Sequence, residues 1–167
     1  KAAYRSGVGL VQMAVPSSLH SALAGVFPEA TWLMLPHEMG VISSSAAEVI
    51  WENLDRATAL AVGPGLGTEP ATRDFLKNLL SGEKGGVEKG AIGFLGQKEK
   101  HNLAGISKLP PVVIDADGLR LLSQLPDWPG LLPAESVLTP HPGEMAALSG
   151  LTVEDIQEER IEITRRF

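Results

Sequence analysis

Apolar residues along this chain follow two alternating rhythms. Short runs at residues 10–15, 31–35, 57–62, 111–114 and 136–139 are mostly continuous and are bounded by Gly, Pro or Asp. Continuous rather than alternating runs of this length predict strands buried on both faces of a parallel sheet. Between them the apolar positions recur at helical spacing. Residues 17–27 begin at a Pro-Ser-Ser cap, with Leu19, Leu23, Val26 and Phe27 on one side. Residues 43–53 carry Ala46, Ala47 and Ile50, with Leu54 next in the spacing. Residues 68–80 open with Thr68 as a capping residue and Pro70 in the first turn, then present Phe75, Leu76, Leu79 and Leu80. Residues 117–125 are rich in Leu, and 142–149 stop at Gly150. From Thr152 to the end a capping box, Thr152-x-x-Asp155, opens one more helix through Val153, Ile156, Arg160 and Ile163. The order β-α-β-α-β-α-β-α-β-α-α predicts an α/β layered fold with a mostly parallel sheet and right-handed crossovers.

One stretch breaks the rhythm. Residues 82–108 hold seven of the eighteen glycines and five lysines, with few large apolar residues, and read as a flexible, solvated insertion between a helix and the next strand. The 167 residues are 44% apolar and 20% charged, a composition of globular rather than disordered chains. The net charge of −6 disfavours a phosphate backbone as partner, so no nucleic acid is expected. The absence of cysteine removes disulfides, thiolate metal sites and a Cys nucleophile, and is compatible with a reducing, cytoplasmic location. No run approaches the roughly 18 apolar residues of a membrane span. Lys1 lacks a preceding Met and already reads as helix interior, and Phe167 falls within a helical pattern. The expectation is a piece of a larger domain, truncated at both ends.

Chemistry gathers where three runs end, which is where open α/β sheets bind ligands. After 57–62 comes Gly63-Pro64-Gly65-Leu66-Gly67, a glycine loop leading into a helix N-terminus. Such a loop suits a phosphate or an amide-bearing ligand pressed against main chain, or is a plain tight turn. It is neither a P-loop nor the dinucleotide fingerprint. After 111–114 comes Asp115-Ala116-Asp117-Gly118, whose carboxylates suit hydrated Mg2+ or a substrate hydroxyl, unless Asp117 simply N-caps its helix. After 136–139 comes Pro140-His141-Pro142-Gly143-Glu144. Pro142 drives His141 out of the α region, which makes an unusually rigid histidine at a strand end. Glu144 sits in the first helical turn, facing the same mouth, either to hold hydrated Mg2+ or to favour the positive helix end. His20, His37 and His101 read as solvated, and Trp32, Trp51 and Trp128 as packing residues.

Together, Gly63-Pro-Gly-Leu-Gly67, Asp115-Ala-Asp-Gly-Leu119 and Thr139-Pro-His-Pro-Gly-Glu144 resemble the ADP/ATP-dependent NAD(P)H-hydrate dehydratases, the carbohydrate-kinase-like family also called the YjeF C-terminal domain. The opening Ala2–Val11 segment is similar to that family's glycine-containing entry into its first strands. The resemblance spans essentially the whole chain, in order. It implies a three-layer ribokinase-like fold, truncated here. It also implies repair of nicotinamide cofactor: (6S)-NADHX or NADPHX is phosphorylated on its ring hydroxyl by ADP or ATP with Mg2+, and phosphate then leaves to restore NAD(P)H. Phosphate leaves far more readily than hydroxide, and phosphoryl transfer asks mainly for positioning and charge neutralisation.

Carried over by motif position, Gly65, Gly67, Asp117 and His141 are the expected substrate-binding residues, and Glu144 the expected metal-side residue. Arg120 stands where the family commonly has Asn. The family's nucleotide-binding segment and its Gly-Thr/Ser-Gly-Asp motif, which supplies the base, are expected beyond Phe167. Residues 1–167 are thus read as a partial dehydratase domain, without a catalytic base of its own and inactive alone. A homo-oligomer and an epimerase domain fused upstream are admitted as partners. The competing readings are another ribokinase-like vitamin kinase, which would release a stable phosphorylated product, and a non-catalytic dinucleotide-binding module.

Overall fold

The structure is a computed structural model that describes residues 1–82 and 109–167. The glycine- and lysine-rich insertion, with His101, lies outside the described residues. A one-turn helix α1 (Ala2–Arg5) precedes strand β1 (Gln12–Pro16), helix α2 (Ser17–Ala24) and strand β2 (Thr31–Leu35). A small hairpin of β3 (His37–Glu38) and β4 (Val41–Ile42) leads to α3 (Ala46–Trp51), β5 (Leu60–Val62) and α4 (Pro70–Ser81). Beyond the insertion come β6 (Val112–Ile114), α5 (Asp117–Leu122), a 3-10 turn (Trp128–Leu131), β7 (Ser136–Leu138), α6 (Pro142–Ser149), α7 (Val153–Glu158) and α8 (Arg160–Arg166). The expected α/β alternation is present, and each predicted run overlaps a strand.

The strands do not form one sheet. β1 and β2 pair in parallel, β3 and β4 pair antiparallel, and β5, β6 and β7 form a separate parallel three-stranded sheet in that order. The hairpin is the element that periodicity missed, because two-residue strands carry no period. Its turn residues Met39 and Gly40 both take positive φ (50° and 90°), as a tight two-residue hairpin turn requires. The His37 imidazole is not merely solvated: its Nδ1 accepts the Gly40 N–H at 3.1 Å. His20 likewise packs edge-on against Trp32, with ring centroids 5.6 Å apart.

The core lies on one side of the three-stranded sheet. Val62, Val112 and Ile114 join Phe75, Leu76, Leu79 and Leu80 of α4 and Leu119, Leu121 and Leu122 of α5 in one buried cluster. Trp51 closes it laterally, donating its indole N–H to the Leu79 carbonyl at 3.2 Å. The opposite face carries Ala61, Val113 and Val137, which are register partners across the three strands and all exposed. The expectation of strands buried on both faces is therefore corrected for this sheet. Topology is the reason. In the order β5-β6-β7 each strand lies beside its predecessor, and right-handed crossovers in a constant direction put α4 and α5 on the same face.

Helix boundaries shift where caps decide them. α4 starts at Pro70, behind Glu69 as N-cap, and not at Thr68. Thr152 does form its reciprocal capping box with Asp155, but the helix it opens breaks at Glu159 (φ −122°, ψ 36°) into two short ones. Only Ile156 and Ile163 are buried along them, too few contacts to hold one straight helix.

Two substitutions test this one-sided core by urea unfolding. Leu119→Ala is expected to cost about 3 kcal/mol, and Val137→Ala less than about 1 kcal/mol; equal costs would show that both faces are covered. Thr72, fully buried on α4, has a hydroxyl without a hydrogen-bond partner among the described residues. Thr72→Val should accordingly raise stability by about 1 kcal/mol.

Candidate functional site

The three sequence motifs meet along one edge. Val62, Ile114 and Leu138 are lateral partners at the ends of β5, β6 and β7, so the glycine loop, the acidic turn and the histidine turn leave the sheet side by side. Main-chain bonds extend the register past the strands. The Asp115 N–H donates to the Val62 carbonyl at 3.1 Å, and the Thr139 N–H donates to the Ile114 carbonyl at 3.2 Å.

The glycine loop and the acidic turn touch backbone to backbone. Gly63 has φ 132°, and a Cβ there would overlap the Asp115 carbonyl oxygen. From the other side, a Cβ on Gly118 would lie 2.9 Å from the Gly63 Cα and 3.2 Å from the Val62 carbonyl oxygen. These two glycines let β5 and β6 discharge their chains into one tight corner. Gly65 and Gly67 also have positive φ (74° and 78°), and space around the Gly65 Cα is open.

Asp117 ties the corner together. The N-cap of α5 is Ala116, held at φ 51°, and Asp117 is the first helical residue. The capping alternative for Asp117 thus falls away: its Oδ2 accepts the Gly67 N–H at 3.0 Å, fifty residues away in sequence. The Leu66 N–H goes to the Gly63 carbonyl at 3.1 Å, and a side chain on Gly67 would meet the Glu69 carboxylate. With two of its N–H groups already bonded and two carboxylates at Gly67, this loop does not offer an open phosphate cradle. Of the two ligand classes its sequence admits, the geometry suits groups that bring donors of their own, such as a hydroxyl or a carboxamide.

His141 takes the extended backbone that Pro142 dictates (φ −72°, ψ 167°) and is the N-cap of α6. Its Nδ1 accepts from the Gly143 N–H at 3.0 Å and the Glu144 N–H at 3.3 Å. Glu144 returns the favour twice: Oε2 accepts the His141 N–H at 2.9 Å, and Oε1 lies 3.1 Å from His141 Nε2. The result is a capping box with histidine in the place of Ser or Thr. The His141 side chain is 57% exposed, whereas that of Glu144 is 6% exposed. Glu144 thus does not face the mouth as its position in the first turn led one to expect, because His141 engages both its oxygens. No group of three His, Asp or Glu side chains suited to a metal ion occurs among the described residues.

The carboxyl ends of parallel strands are where open α/β sheets take up small molecules, and all three motifs stand there. The model of the NAD(P)H-hydrate dehydratase family matches residues 1–167, and the chain belongs to that family. It is 36% identical over 171 residues to the bifunctional NAD(P)H-hydrate repair enzyme Nnr of Moorella thermoacetica, a match covering 99% of this chain and 27% of that protein. It is 29% identical to the Escherichia coli Nnr, covering 100% of this chain and 25% of that one. The chain therefore spans about a quarter of the length of these relatives. Among solved structures, the ADP/ATP-dependent NAD(P)H-hydrate dehydratase of Bacillus subtilis superposes with a TM-score of 0.55 at 22% identity, over 96% of this chain and 45% of that one. A Streptococcus mutans protein, SMU.573, superposes with a TM-score of 0.65 at 22% identity, over 99% and 46%.

The corner at Gly63 is open to a direct test. Gly63→Ala should destabilise the protein by about 3 kcal/mol or more, since a methyl group there has no room and the backbone conformation disfavours it. Gly65→Ala, strained but unobstructed, should cost about 1 kcal/mol. Thermal unfolding of the two variants compares them, and a milder effect at Gly63 would contradict the close approach.

Proposed function

We propose that this chain forms the substrate-side part of an ADP- or ATP-dependent NAD(P)H-hydrate dehydratase, acting on (6S)-NADHX or NADPHX. The observation that carries the reading is the convergence of the glycine loop, the acidic turn and the histidine turn on one sheet edge, in a chain that belongs to the dehydratase family. In this reading residues 1–167 are part of one dehydratase domain. The relatives bear the name of bifunctional repair enzymes, which supports a second, epimerase activity on the same polypeptide. The substrate presents a ring hydroxyl and a carboxamide, the donor-bearing groups that the corner at Gly65, Gly67 and Asp117 favours. Asp117 Oδ2 is committed to Gly67, which leaves Oδ1 to accept from the substrate. The exposed imidazole of His141 supplies the next wall of the crevice.

Chemically, a phosphoryl group moves from the nucleoside polyphosphate to the ring hydroxyl. The C–O bond to phosphate then breaks as the neighbouring carbon gives up its proton, and the dihydropyridine double bond is restored. The described residues bind and orient in this scheme. They do not by themselves build a magnesium site, since Glu144 is buried against His141 and no carboxylate cluster accompanies it. No step is therefore assigned to a metal held by this part of the chain.

The test is ADP-dependent conversion of NADHX by the intact protein, followed as recovery of 340 nm absorbance and release of inorganic phosphate in equal amounts. A stable phosphorylated product would instead identify a kinase. Asp117→Ala should raise KM for the hydrate about tenfold or more, the cost of one hydrogen bond to a charged group. An unchanged KM in that variant would remove Asp117 from the site.

A further inference from the structure

His141 and Glu144 bond each other reciprocally within one helical turn. Two main-chain N–H groups point at His141 Nδ1, so that nitrogen is an acceptor and the ring proton sits on Nε2. There Nε2–H faces Glu144 Oε1 at 3.1 Å, while Oε2 of the same carboxylate holds the His141 N–H at 2.9 Å. Both ring nitrogens are therefore occupied within one helical turn. The ring itself remains more than half exposed, at the end of β7 beside the acidic turn. Prolines on both sides hold the main chain that carries it.

We propose that Glu144 is a positioning residue for His141: its buried carboxylate fixes the imidazole in one tautomer and one orientation, so that His141 meets the ligand with its flat face and not with a nitrogen. The ligand group that such a face accepts is a planar or near-planar heterocycle lying against it, as an offset-stacked ring. This rests on the reading of the crevice as a nicotinamide site. It assigns His141 to ring stacking and removes it from proton transfer. It also gives Glu144 a role that needs no metal. With Nδ1 taken by two main-chain N–H groups and Nε2 by the Glu144 carboxylate, the imidazole has no free nitrogen to act as acid or base, but it makes a rigid wall.

Two measurements separate the inference from the reading beneath it. The first is independent of activity. Long-range 1H–15N correlation spectra of the 15N-histidine-labelled protein should show His141 as the Nε2–H tautomer, and Glu144→Gln should move its ring nitrogens toward the averaged shifts of free histidine. A wild-type spectrum already showing mixed tautomers would overturn the positioning role. The second uses the intact protein and titrates NADPH as the probe. His141→Phe keeps a flat face and loses both nitrogens, and should bind NADPH within about threefold of wild type. His141→Ala should bind about tenfold more weakly. Glu144→Gln, folded by the same thermal criterion as wild type, should raise KM for the hydrate about tenfold with kcat changed less than threefold. If His141→Phe binds as weakly as His141→Ala, or Glu144→Gln lowers kcat alone, the face-on assignment is wrong. Absence of any hydrate turnover by wild type would instead fault the dehydratase reading and leave the tautomer result standing.

Discussion

Everything at this edge depends on how closely β5 can approach β6 at their carboxyl ends. Gly63 and Gly118 meet there with only main chain between them, and neither tolerates a Cβ. A side chain at either position would push the glycine loop away from the acidic turn. The Gly67–Asp117 bond would then have to span a wider gap, and the loop's second and third glycines would lose their anchor. A steric allowance of one methyl group thus decides whether two separate turns become one surface. The third turn is attached less tightly, through the Thr139 main chain and hydroxyl on the Ile114 carbonyl (3.2 and 3.4 Å).

The one-sided core follows from the same three strands. Strand order without reversal sends both crossover helices to one face, and the buried leucines of α4 and α5 confirm where the apolar area went. The outward row of Ala61, Val113 and Val137 is nevertheless as apolar as a buried row. Its composition is what made the strands read as two-sided. Periodicity registers what a residue is, and the topology of the described chain determines what covers it.

Much of the site was legible because backbone chemistry dictated it. Gly63, Gly65 and Gly67 all occupy positive φ, which is the physical content of their spacing. The Pro-His-Pro sequence forced His141 into extended backbone, and the helix 142–149 matched residue for residue because Pro opens it and Gly150 closes it. Asp117 and Glu144 were harder. Both are acidic residues in a first turn, and the helix dipole explains such residues so readily that their long-range or reciprocal bonds leave no separate trace in sequence. The signal for Glu144 is the three-residue spacing from an N-cap, but that rule is framed for Ser and Thr, and a histidine at the cap does not meet it. The hairpin at 37–42 was invisible for a simpler reason, two residues per strand being too few for alternation.

Charge at this edge bears on the kind of ligand it suits. The N–H groups of Gly143 and Glu144 at the start of α6 already point at His141 Nδ1, and the Gly67 N–H already points at Asp117. The Glu69 carboxylate stands at Gly67 as well. An incoming phosphate would find these donors taken and carboxylates beside them, and each unscreened like-charge contact is costly. Under the dehydratase reading, a neutral ring bearing a hydroxyl and a carboxamide would find acceptors instead. Under the dehydratase reading the nicotinamide half enters here, and the phosphates of both substrate and nucleotide must be neutralised by groups other than these three turns.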